Sequence, residues 1–161
     1  MKNKKGFTLV ELLAVIVVLA IVMGIAAVAI TNTLDSTRKN AYVSSAKQFI
    51  AGAKTLVNTD EMNVLLGDQP TYAPKCQSTE ASKTITLNLI KTEGGSNDKS
   101  PYGNPIDKTK SFVKVTSSAM SATGECTYSY SIFITDDIYR IGTDTAPVAE
   151  TELKASSVET G

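Results

Sequence analysis

Apolar positions are spread unevenly along the chain. Residues 7–30, FTLVELLAVIVVLAIVMGIAAVAI, are apolar almost without a break, and Glu11 is the only charge among them. A bilayer core about 30 Å thick needs ~20 such residues in a helix. The run is therefore long enough to span with some tilt. Beyond it the pattern turns from continuous to periodic. Ile30, Leu34, Ala41, Ser45, Phe49, Ala53 and Leu56 recur at helical steps, while Asp35, Arg38, Lys39, Lys47 and Lys54 fall mostly off that stripe. No proline interrupts residues 7–57. The pattern predicts one helix through both halves, ~75 Å long, bare in its first half and packed along one side in its second.

After residue 58 the spacing shortens. Asn58 with Glu61 three residues on suggests the cap of a second short helix, with Met62, Leu65 and Leu66 as its buried face. Gly67-Asp68-Gln69-Pro70 is a stop, and residues 71–83 read as loop. TITLNLIKTEGG, residues 84–95, carries two signals. Alternation of Ile85, Leu87 and Leu89 favours a strand. Leu87 with Ile90 and Gly94 favours a short helix capped by Thr86, which is the preferred reading. Residues 96–110 are turn-rich. Alternating apolar residues then predict strands at 111–117, 125–135 and 138–141, with Asp136-Asp137 as a turn. From Thr143 onward the chain is polar and reads as loop with a mobile end. The predicted fold is α+β: a long N-terminal helix whose second half completes the core of a small antiparallel sheet of about three strands.

Composition narrows the chemistry. The chain has 161 residues and equal numbers of basic and acidic side chains, 16 each. There is no basic excess to attract nucleic acid. Histidine is absent, so a Ser-His-Asp triad is impossible and no histidine metal site can form. No GxSxG, SxxK or glycine-rich phosphate loop is present. The residues offer no enzyme chemistry, no cofactor site and no metal site. Asp136 and Asp137 with Asp107 or Asp144 lack EF-hand spacing and read as a solvated turn rather than a calcium site. Tyr72, Tyr102, Tyr128, Tyr130 and Tyr139 read as packing residues rather than a stacking platform.

Glu11 demands an explanation, because a carboxylate at mid-membrane costs ~3 kcal/mol or more. One reading is snorkelling at the cytoplasmic end. The other is a cation at the same depth. A cut after Gly6 would free an amine on Phe7, four residues from Glu11. Two slightly staggered helices would then set the amine of one against the carboxylate of the next, fixing their axial offset. Lys2, Lys4 and Lys5 before the run place the N-terminus in the cytoplasm and the remainder outside. A secretory signal would have a shorter apolar core and would leave the helical continuity unexplained. Outside the cell, Cys76 and Cys126 favour a disulfide closing a long loop, against two buried thiols.

The stretch Lys4-Lys5-Gly6-Phe7-Thr8-Leu9-Val10-Glu11-Leu12, with the apolar helix behind it, closely resembles the class III prepilin signal of type IV pilins, most nearly those of Gram-positive bacteria. The resemblance is strong over residues 2–30 and architectural beyond them. It implies that a membrane prepilin peptidase cuts between Gly6 and Phe7 and N-methylates Phe7. It implies assembly by an ATPase-driven platform into a homo-oligomeric helical filament that serves tasks such as adhesion or twitching motility. On that basis residues 1–6 are a cleaved leader, 7–30 the membrane and filament-core helix and 31–58 its amphipathic continuation. Residues 59–110 are loops with short helices, 111–142 the β-meander and 143–161 the tail. Cleavage removes three lysines and leaves the mature chain acidic. The expected function is a structural pilus subunit in which Glu11 pairs with a neighbour's Phe7. A pseudopilin of a secretion or DNA-uptake machine shares the signal, and a monomeric membrane-anchored binding domain would need neither the cut nor Glu11. Many family members carry a proline where this chain has Val28. Gly24 is then either a weak point in the helix or a site of close helix packing.

Overall fold

The structure, a computed structural model, describes residues 8–65, 71–91 and 98–161; for 27–29, 32 and 61–65 it describes the backbone alone. Helix α1 runs unbroken over Leu9–Leu65. Neither glycine nor proline occurs between Ala53 and Leu66, so nothing stops the helix at Asn58. The separate short helix is corrected to a continuation of α1. Asn58 lies inside α1, and the neighbouring Thr59 hydroxyl bonds the Thr55 carbonyl at 2.8 Å. The expected burial of Met62, Leu65 and Leu66 lies outside the described residues. The backbone is helical at Gly24 and at Val28.

The chain forms two compact units, residues 1–37 and 38–161. In the second unit the three expected strands appear as β2 (Phe112–Ser117), β3 (Tyr128–Thr135) and β4 (Tyr139–Ile141). Three more join them: β1 (Ala81–Thr86), β5 (Val148–Ala149) and β6 (Val158–Thr160). All pairings are antiparallel, in the order β1-β2-β3-β4-β6, with β5 beside the middle of β3. β1 takes residues 81–86, which corrects the loop expected up to residue 83, and the preferred helix after Thr86 shrinks, among the described residues, to one turn. Its backbone pairs with β2 from Ala81↔Ser117 to Thr86↔Phe112. Only Leu87–Leu89 form a helical turn, of 3₁₀ type, and the Thr86 side chain does not cap it. A full ladder outweighs one turn of helix, whose nucleation is costly. Gly94 lies outside the described residues. The stretch read as a loose tail also takes part in the sheet: Val148 sits opposite Ile132, and Val158 opposite Ile141.

The core lies between the sheet and α1. Tyr42, Ala46, Phe49, Ile50, Ala53 and Val57 are buried against Ile85, Val113, Val115, Ile132, Ile134 and Ile141. Of the predicted stripe, Phe49 and Ala53 hold their places and Leu56 is partly buried, whereas Ala41 is exposed. The buried face thus lies one position round the helix from the predicted one. Gly52 on α1 lets the following segment approach closely. A Cβ there would collide with Ile90 Cγ2 and stand 2.8 Å from the Lys91 carbonyl oxygen. Alanine would gain ~1 kcal/mol in helix propensity, but displacing backbone in a packed site costs roughly 1–3 kcal/mol. Gly52→Ala is therefore expected to lower the thermal midpoint of the folded unit, and an unchanged or raised midpoint would contradict this packing.

Each end of the second unit is tied by polar groups. At one end the buried Asp60 carboxylate accepts the amides of Tyr72 and of Ala73, the latter at 2.7 Å. Cys76 and Cys126 are bonded there, with Cα atoms 5.9 Å apart. The Met120 amide donates to the Gln77 carbonyl at 2.8 Å. At the other end the buried Asp136 accepts bonds from the Ser100 hydroxyl, the Asn104 amide and the backbone N–H groups of Ile138 and Tyr139. Asp137 completes that turn with φ 67°. The Tyr42 hydroxyl reaches the Tyr139 carbonyl at 3.4 Å, and burial pushes its ionisation well above the usual phenol range.

Candidate assembly site

Thr8 precedes the first turn of α1, and Glu11 lies within that turn. The Glu11 amide donates to the Thr8 hydroxyl oxygen at 3.3 Å. The Thr8 amide and hydroxyl both donate to Glu11 Oε2 at 2.9 Å. This is a reciprocal capping box, which satisfies donors that a helix start leaves open. The Thr-x-x-Glu spacing was visible in the sequence and gives Glu11 a local partner that the search for a cation missed. Both described bonds fall on Oε2, and among the described residues none falls on Oε1. Gly6 and Phe7 lie outside the described residues.

Behind the cap, Leu9–Ala26 forms an 18-residue window of mean hydropathy 3.0 with none of its residues buried. Its large apolar side chains from Leu9 to Ile25 are 48–83 % exposed. In water such a surface would be strongly unfavourable, at ~25 cal/mol per Å². It therefore calls for lipid or for other helices. Gly24 leaves open space: a Cβ placed there would meet nothing within 4 Å beyond its chain neighbours and the adjacent helix backbone.

The other groups considered have local roles. Lys110 places its ammonium 3.1 Å from Asp107 and 2.9 Å from Asp137, where a cation would otherwise sit. The Thr109 hydroxyl, aided by the Lys110 amide and ammonium, holds the Asp107 carboxyl well below the usual range. Among the described residues no group of three or more His, Cys, Asp or Glu side chains is placed to hold a metal. Asp144 joins none of these contacts. The tyrosines pack against the core: Tyr102 stacks on Tyr139 at 3.6 Å, and the Lys54 ammonium lies over Tyr130. Lys54 also pairs with Glu150 at 2.6 Å.

Residues 1–27 match the model of the prokaryotic N-terminal methylation motif. The chain carries the class III signal of type IV pilins. That motif marks a pilin-like or pseudopilin substrate, and its family is structural rather than enzymatic. It implies processing by prepilin peptidase and assembly into a filament. With the single apolar N-terminal helix, it fits a membrane-anchored precursor and a later pilus. No curated protein and no solved structure shows a significant match to the chain.

Proposed function

We propose that this chain is the structural subunit of an extracellular type IV pilus. Hydrolysis of the Gly6–Phe7 amide frees an amine on Phe7, and N-methylation keeps its charge. In the filament that amine meets Glu11 of a neighbouring subunit. The observation that carries this reading is the bare apolar helix that fills most of the methylation motif. The capping box supports the pairing, because it holds the carboxylate through Oε2 and leaves Oε1 for a second donor. A charge-assisted bond in low dielectric is among the stronger ones a protein makes.

Gly6→Leu tests the processing step. The expected result is a chain that retains its first six residues by mass spectrometry, stays in the membrane fraction and yields no filaments. Native filaments built from subunits that still carry residues 1–6 would overturn the proposal. Immunogold labelling of wild-type cells separates the two products of the motif: long surface filaments mark a pilin, and short envelope-bound structures a pseudopilin.

A further inference from the structure

We propose that the Cys76–Cys126 bond is a thiol-exchange site: a small external thiolate opens it on the folded protein, joins Cys76, and is displaced again when the bond recloses. A disulfide is opened by thiolate attack on one of its sulfurs, and exposed bonds are the labile ones. Cys76 is exposed and Cys126 half-buried. No residue of 75–80 or of 118–127 is buried. The bond therefore joins two surface segments and covers none of the core. The nearest buried groups in sequence are Ala73 and Pro74 before Cys76, and Ser117 at the end of β2. The site lies wholly within the folded unit, and the inference needs neither a membrane nor a filament.

Opening leaves both segments pinned at their ends. Asp60 holds the amides of Tyr72 and Ala73, and β1 starts at Ala81, opposite Ser117. Ser118 and Thr127 close the base of the hairpin: the Ser118 amide donates to the Thr127 carbonyl at 2.8 Å, and the Thr127 amide to the Ser118 hydroxyl at 3.0 Å. The Met120 amide still bonds the Gln77 carbonyl, which keeps the segments side by side. The two thiols are thus held near one another, and reclosure is intramolecular at high effective concentration.

Access selects the sulfur. The thiolate attacks Cys76 Sγ, a new S–S bond forms there, and the electron pair of the old bond leaves on Cys126 as a thiolate. A second thiolate removes the first as a symmetrical disulfide and leaves Cys76 reduced. The reverse sequence, driven by that disulfide, restores the bond. Exposed Lys75 beside Cys76 draws an anionic thiolate, and exposed Glu125 beside Cys126 repels it. Glu125 also makes Cys126 the poorer leaving group, but solvent screens that effect, and exposure decides.

The test treats the full-length protein with glutathione, in buffer and in concentrated urea. Samples are blocked with iodoacetamide and their peptides mapped by mass spectrometry. Opening in buffer is expected within about tenfold of the rate in urea, with glutathione on Cys76 and the blocking group on Cys126. Far-UV circular dichroism should stay native throughout, and oxidised glutathione should restore the bond. Suppression in buffer of about a hundredfold or more, the mark of a bond freed only by unfolding, would overturn the proposal. Glutathione found on Cys126 would overturn it as well. So would loss of the native circular dichroism on opening, since the bond would then be part of the fold rather than a clasp on its surface.

Discussion

Glu11→Leu is expected to leave the chain in the membrane and to abolish filaments. Leucine is more easily placed in hydrocarbon than a carboxylate, by ~3 kcal/mol on insertion scales, so anchoring should survive. Assembly should not. Each new subunit would bury the charged amine of Phe7 against a neighbour with no counter-charge, and removing one partner of a buried pair costs about 3–5 kcal/mol. That is a loss of roughly a hundredfold to several thousandfold in affinity for every subunit added. Electron microscopy of sheared material, with immunoblots of the membrane fraction, reads both outcomes. Normal filaments from the variant would remove the pairing from the mechanism. Thr8→Val is the companion variant. It loses the cap, worth ~1 kcal/mol, but keeps the carboxylate. Filaments should persist there, which separates the charge of Glu11 from its part in starting the helix.

Replacing Cys76 and Cys126 together with serine is expected to cost about 4 kcal/mol of stability, on the chain-entropy account of a closed loop of this size. The bond spans 50 positions of sequence, and whole domains are stable by only ~5–15 kcal/mol. Other ties at the same end persist in the variant: Asp60 still holds Tyr72 and Ala73, and Met120 still bonds Gln77. The sheet should therefore form, with the first opening confined to residues 74–80 and the 118–127 hairpin. Urea midpoints of the two proteins, with and without reductant, measure the effect. A midpoint that neither the double substitution nor reductant shifts would show that the bond contributes nothing.

What could be read in advance follows physical scale. The apolar run, the helix period behind it and the strands with alternating apolar residues on one face, such as Val113 and Val115, were legible, because each imposes a repeating pattern. The methylation motif was legible, since its basic leader and the start of the apolar run stand together at the head of the chain. Thr8 was passed over because attention to charge hid an ordinary helix-start signal. β5 and β6 were missed for another reason: Val148 and Val158 are single apolar residues in polar surroundings, and only Ile132 and Ile141 opposite them make them strands. In the segment from residue 84 the local signals pointed both ways, and a partner strand distant in sequence decided residues 84–86. The one-position error in the helix stripe came from following Ala41 and Ser45 where Tyr42 and Ala46 face the sheet.

The place of β6 at the outer edge of β4 governs the timing of folding. In a chain made from its N-terminus, β6 follows every other strand of the sheet. Until it arrives, Ile141 has Ile134 beside it on β3 but lacks Val158 on its other side, and the sheet is unfinished along that border. In the anchored subunit proposed above, the folded unit is therefore completed only after β6 has joined it, and through that interval the apolar helix holds the chain at the membrane.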